Sequence, residues 1–242
     1  MMNHLRTAFL VSGLLTLLCA CSATSGLPLS EYDAGGVIFW KPCTRAQSEA
    51  LSGSANGKDI LQGAACSSWL LESGTVSSAD YAKSSQIGLK KFLEKNPQSG
   101  PGHYLLAYLI AKEAQLAPLK GLDLVPLMEQ EALTASKLTP EIDHGGPDRF
   151  LGELYLQAPS SPISIGSMDK SLEHYERAVE VAPDFALNHL GLASALLEDD
   201  EVKEACVHYE KALKAKSFSE QLLKVDFFKK LTKACAGNKV NE

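Results

Sequence analysis

The chain has 242 residues, of which 45% are hydrophobic and 21% charged, and its formal net charge is −6. That length and hydrophobic content allow one domain with a true core, or a short solenoid. The acidic balance, with no basic patch interleaved with aromatics, argues against nucleic acid as a partner.

Residues 1–20 carry His4 and Arg6 at the start and then run apolar through AFLVSGLLTLLCA. A charged start followed by a short apolar run is the pattern of a secretory signal peptide, too short for a membrane span. The run ends Leu18-Cys19-Ala20-Cys21, which resembles the bacterial lipobox: an aliphatic residue three before a Cys and a small one just before it. The resemblance implies cleavage ahead of Cys21 and its lipidation. Cys19 does not fit, because Leu18 is too bulky at the position before the cut. Ser22, where an Asp would retain the protein in the inner membrane, implies the inner leaflet of the outer membrane, facing the periplasm. The membrane partner is then reached through acyl chains, which exceed the two-signal threshold for stable anchoring. Small polar residues after Cys21 predict a flexible tether over 21–36. Residues 1–20 hold one Arg and no acid, so their removal takes the formal charge from −6 to −7.

Removal of Cys19 and lipidation of Cys21 leave Cys43, Cys66, Cys206 and Cys235. An even count in an oxidising compartment predicts two disulfides, and proximity in sequence pairs Cys43 with Cys66 and Cys206 with Cys235. Free buried thiols are the alternative. The first pair would staple an N-terminal segment over 37–78, in which 59–74 reads as an apolar helix. The second is geometrically harder. If two antiparallel helices meet near Ser217, Cys206 faces about Lys229, and Cys235 overshoots by more than a turn.

Residues 84–97 read as a helix closed by Pro97, 102–116 as its successor, and 127–140 as a third, after an insertion around KGLDLVP. Farther on, SLEHYERAVEVAP (171–183) and ACVHYEKALKAKS (205–217) match in register at an offset of 34 residues. That is the period of the tetratricopeptide repeat, a pair of antiparallel helices. Ser171, Tyr175, Ala178 and Pro183 hold its small, aromatic, small and proline places. Ala205, Tyr209 and Ala212 repeat the first three, and Ser217 departs at the fourth. Leu151-Gly152-Glu153-Leu154-Tyr155 is the first-helix element, with Leu192, Ala193 and Leu196 as its softened form. The expected fold is all-α: antiparallel helix pairs stacked as a short solenoid over 79–218, best defined at 148–217, with a capping helix and tail over 219–242. About nine helices and no sheet are expected.

Between 158 and 169 the third unit carries APSSPISIGSMD, about seven residues more than a plain repeat, after His144-Gly145-Gly146-Pro147. Residues 144–183 together resemble the T-component lipoproteins of tetratricopeptide-associated TRAP transporters. The likeness is specific over that segment and extends loosely over 80–235. It implies a lipid-anchored helical protein that binds the transporter's periplasmic substrate-binding subunit, with a central apolar channel. In this chain Ile-Gly-Ser replaces a second Gly-Gly in the loop.

No nucleophile elbow, phosphate loop or zinc motif is present, so no catalytic residue, metal ligand or cofactor is assigned. His174 and His208 occupy equivalent repeat positions, which marks them as repeat residues. The expected role is a binding scaffold for a periplasmic protein or peptide. A stripe of first-helix residues would carry it: Tyr104, Tyr108, Lys112, Arg149, Glu153, Gln157, Leu190 and Ser194. Tyr104 and Tyr108 could equally serve packing. A carrier of a small hydrophobic ligand and a general envelope-assembly scaffold are the alternatives.

Overall fold

The computed structural model describes residues 29–222 and 226–236. The expected signal peptide, Cys21 and the first half of the tether lie outside the described residues. Among those described, the chain is predominantly helical, and no helix is long and apolar enough to cross a membrane.

The described residues begin with a hairpin, where the end of a plain tether was expected: β1 (Tyr32–Ala34) pairs antiparallel with β2 (Val37–Phe39). Its two-residue turn is Gly35-Gly36, with φ of +65° and +86°. Both turn residues need positive φ for the twist of the turn to match that of the strands, and glycine adopts it without strain. The reading of no sheet is corrected by this hairpin; its signal, Gly-Gly between short apolar runs, is present in the sequence.

Ten helices follow: α1 (Arg45–Ser52), α2 (Gly57–Glu72), α3 (Ala79–Lys95), α4 (Gly100–Leu116), α5 (Pro118–Leu138), α6 (Gly146–Gln157), α7 (Met168–Val181), α8 (Ala186–Glu198), α9 (Val202–Lys214) and α10 (Asp226–Cys235). Several starts are set by polar caps. Thr44, Asn56, Ser78, Ser99 and Ser167 each accept from a backbone N–H of the first turn. Each such cap satisfies one of the N–H groups the helix cannot bond itself. One boundary differs markedly from expectation. The insertion expected around residues 120–126 is helical: it belongs to α5, which begins at Pro118 and runs through Pro126. Proline costs a helix an N–H and crowds the preceding turn. Here the tertiary packing of α5 on α4 and α6 overrides that local preference.

Each helix packs on the next, and α2 with α4, α6 with α8 and α8 with α10 also touch. One core gathers β2, α2, α3, α4 and α5 around Phe39, Leu70, Leu89, Leu105 and Ile110. A second gathers α7, α8, α9 and α10 around Tyr175, Leu190, Tyr209 and Leu231. Ala107, Ala132, Leu151 and Tyr155 form a third, smaller cluster.

The two look-alike segments are α7 and α9, and their shared small and aromatic positions are all buried: Ser171, Tyr175 and Ala178 in one, Ala205, Tyr209 and Ala212 in the other. Ser171 shows why small residues are needed there, since its hydroxyl donates to the Gly152 carbonyl at 2.8 Å. Tyr175 is clamped between two glycines. A Cβ on Gly152 would lie 2.7 Å from the ring, and one on Gly191 would lie 2.2 Å from it. The Leu190-Gly191 dipeptide thus acts on Tyr175 as Leu151-Gly152 does from the other side.

Both expected cysteine pairs stand at bonding distance, 2.01 Å for Cys43–Cys66 and 1.99 Å for Cys206–Cys235. The overshoot expected for Cys235 is avoided because α9 and α10 do not meet at a tight turn. α9 ends at Lys214 and α10 begins only at Asp226, which brings Cys235 back beside Cys206.

Substituting Gly191→Ala is expected to lower stability by about 1–3 kcal/mol, because the added methyl has no room beside Tyr175. Gly121→Ala in α5 is expected to do the opposite, gaining up to about 1 kcal/mol, since its Cβ meets only ordinary contacts. Chemical denaturation of the two variants beside the wild type measures both signs.

Candidate binding site

The turn before α6 organises the interior. Asp143, His144 and Gly145 all have positive φ, +50°, +57° and +81°. Such backbone costs an Asp or His roughly 1–2 kcal/mol, so surrounding contacts must hold it. They do. Asp143 is buried, and its Oδ1 accepts from Trp40 Nε1 at 2.8 Å. Its Oδ2 accepts from the Tyr104 hydroxyl at 2.7 Å and from Arg149 Nη2 at 2.8 Å. Arg149 also donates to the Asp143 carbonyl at 3.1 Å and to Asn188 Oδ1 at 2.9 Å. Asn188 in turn donates to the carbonyls of His144 and Ala178, at 2.9 and 2.7 Å. The His144 ring stacks on Phe185, 4.5 Å between centroids.

Gly146 cannot be larger, because its Cβ would fall 2.7 Å from the Tyr104 hydroxyl. The Gly-Gly noted in the sequence is therefore a packing device for this hub.

A second polar cluster lies beside the first. Lys112 and Glu72, both buried, form an ion pair, and the Tyr108 hydroxyl donates to Glu72. The Lys112 ammonium sits 5.4 Å from the Tyr108 ring centre, and Tyr108 meets Trp40 edge-on at 5.1 Å.

The two clusters border a cavity of about 80 Å³. Rings of Trp40, Tyr104, Tyr108, Phe150, Tyr175 and Phe228 line it, with Leu29 and Leu187, and the polar groups facing it include Arg149, Asp143 and Glu153. Burial pushes the hydroxyls of Tyr104, Tyr108 and Tyr175 well above the ordinary phenol range; the carboxylates Asp143, Glu72 and Glu153 respectively push the same way. Glu153 is itself raised, first by burial, although Lys112, Arg149 and a 2.9 Å bond from Gln157 Nε2 favour its charged form. A larger, open groove of about 770 Å³ lies elsewhere, between α1, α2 and α3, and holds none of the residues of the expected stripe.

Tyr104, Tyr108, Arg149 and Glu153 meet at the cavity. Lys112 sits behind them on Glu72, and Gln157 reaches them through Glu153. Leu190 and Ser194 do not join; both are buried on α8, where Ser194 donates to the Leu190 carbonyl. Trp40, Glu72, Asp143, Tyr175, Asn188 and Phe228 were not among the expected residues. The two repeat histidines have different partners: His174 Nδ1 lies 2.7 Å from Asp148, whereas His208 Nδ1 lies 3.0 Å from His189 Nδ1. Comparison with known protein families and with characterised proteins gives no match for this chain.

Two substitutions probe the site. Asp143→Ala leaves Arg149, Trp40 and Tyr104 without their shared acceptor and is expected to cost about 3–5 kcal/mol, read from denaturant unfolding. Glu153→Gln tests the raised carboxyl. A carboxyl whose folded pKa is above its unfolded value favours folding only while protonated, and that advantage is lost as pH rises through the folded pKa. The variant should therefore melt higher than the wild type at pH 7.5, with the difference fading toward pH 4. A lower melting temperature at pH 7.5 would show that the charged form is net stabilising.

Proposed function

We propose that this chain is a non-catalytic, lipid-anchored binding protein of the bacterial envelope. Its helix pairs are read as a short tetratricopeptide-type solenoid, anchored through Cys21 and facing the periplasm. Its partner is read as a periplasmic protein, specifically the substrate-binding subunit of a TRAP-type transporter, as the resemblance over residues 144–183 implies. The observation that carries the reading is the convergence of Tyr104, Tyr108, Arg149 and Glu153, from the alternate helices α4 and α6, on one cavity. Residues of a repeat protein that share one face through successive units make a continuous recognition surface. Lys112 and Gln157 support them from the same two helices.

A second reading, carriage of a small hydrophobic ligand, is favoured by one feature of that cavity: its wall is mostly aromatic rings, with few polar groups. Pockets of that make-up hold apolar bodies and orient them by a small number of hydrogen bonds.

A photocrosslinking residue placed at Gln157, which is half-buried at the end of α6, tests the leading reading. With the TRAP substrate-binding protein of the same genome added in purified form, one specific adduct is expected, and free subunit without the photoprobe should compete it away. No adduct at tens of micromolar partner, together with saturable quenching of Trp40 by a small aromatic ligand, would replace the docking reading with the carrier.

A further inference from the structure

His189 on α8 and His208 on α9 face each other with their Nδ1 atoms 3.0 Å apart and their rings 5.2 Å between centroids. His189 is buried, and its Nε2 lies 2.7 Å from the Pro183 carbonyl. A carbonyl oxygen only accepts, so Nε2 of His189 carries the proton and the Nδ1 lone pair points at His208. A backbone carbonyl on the far nitrogen is the arrangement that fixes the tautomer and orientation of metal-binding imidazoles. In the metal-free protein the contact is a hydrogen bond, His208 Nδ1–H donating to His189 Nδ1. When the His208 proton sits instead on Nε2, both Nδ1 atoms are free to donate a lone pair to one ion, with no net loss of a proton.

From this geometry we infer that His189 and His208 form a two-imidazole site for a divalent transition metal, copper(II) above all. At metal–nitrogen distances of about 2.0–2.1 Å, a separation of 3.0 Å gives an N–M–N angle of roughly 95°. That is the angle between neighbouring ligands in a tetragonal ion; a tetrahedral zinc ion would need the nitrogens about 3.3 Å apart. Copper(II) also stands highest in affinity for imidazole nitrogen among the divalent first-row ions. Water would complete the coordination on the His208 side, where that residue is half-buried rather than closed in. Among the described residues no group of three or more His, Cys, Asp and Glu side chains could hold a metal, so protein supplies two ligands only. Nearby charge is mixed: Asp184 favours a cation at His189, and Lys211 opposes one at both rings.

The platform is rigid. The helices α8 and α9 pack along their lengths, and Cys206, two residues before His208, is tied to α10 through Cys235. His174, at the matching position of α7, faces Asp148 instead, so the pair belongs to one repeat interface and not to the repeat as such.

The test is titration of the full chain in detergent with copper(II) sulfate, followed by electron paramagnetic resonance and by competition with a chromophoric chelator. One equivalent should bind with a Kd on the order of micromolar, with a two-nitrogen signature. His208→Gln should weaken that binding at least tenfold while its melting curve matches the wild type; His103→Gln, at a histidine bonded to Glu131 and Pro97 instead, should leave it unchanged. Zinc(II) should bind more weakly than copper(II). If His208→Gln binds copper as the wild type does, or if the wild type takes up no copper below about 100 μM, the site is only a hydrogen-bonded histidine pair.

Discussion

Everything around the cavity depends on one buried carboxylate. Asp143 sits in a run of three left-handed residues that the chain would not adopt unaided. Its oxygens receive the indole of Trp40, the phenol of Tyr104 and the guanidinium of Arg149. One residue therefore joins the N-terminal segment, α4 and α6, and Arg149 extends the link to Asn188 on α8. A buried carboxylate is costly to desolvate, and three donors with a neutralising Arg make this one tolerable. The strain of the turn and the hydrogen bonds are complementary: the left-handed backbone aims the carboxylate inward, and the donors hold the backbone left-handed.

The same logic gives the interior its character. Glu72, Lys112 and Tyr108 form a closed polar set next to the Asp143 set, and neither leaves its charge unpaired. Glu153 differs: Gln157 donates to it, while Lys112 and Arg149 act on it through space. It is the carboxyl best placed to respond to something entering the cavity. The Tyr175 ring opposite is held by Gly152 and Gly191, so the wall facing Glu153 is positioned by backbone and not by a mobile side chain.

How much of this was legible in the sequence follows from how local each signal is. The 34-residue likeness located α7 and α9, because small and aromatic positions recur wherever helices must approach closely. The cysteine pairs followed from spacing and number alone. The stripe found Tyr104, Tyr108, Arg149 and Glu153, since a helix face is a matter of periodicity. Leu190 and Ser194 were drawn onto the same stripe, yet α8 is buried along nearly its whole length, so periodicity could not say which side faced the cavity. Trp40 and Asp143 are 103 residues apart and carry no motif, so nothing local announces their bond. His189 and His208 were equally hidden: only His208 was singled out, as a repeat position, and their meeting depends on how α8 and α9 pack.

Two segments near the ends of the described residues line the cavity, and the two disulfides hold those segments. Trp40 stands three residues before Cys43, and Phe228 stands two turns of α10 before Cys235. Cross-links over sequence separations of 23 and 29 residues each contribute roughly 3–4 kcal/mol in the loop-entropy description. Burial of a single aromatic side chain such as Phe228 contributes about 2–3 kcal/mol. The covalent term is thus at least as large as the contact it protects. Without it, a hairpin of two three-residue strands and a ten-residue terminal helix would be the elements most prone to open, since neither is stable in isolation. Thiol oxidation therefore sets how firmly Trp40 and Phe228 cover the cavity, and an oxidising compartment is where this architecture keeps it closed.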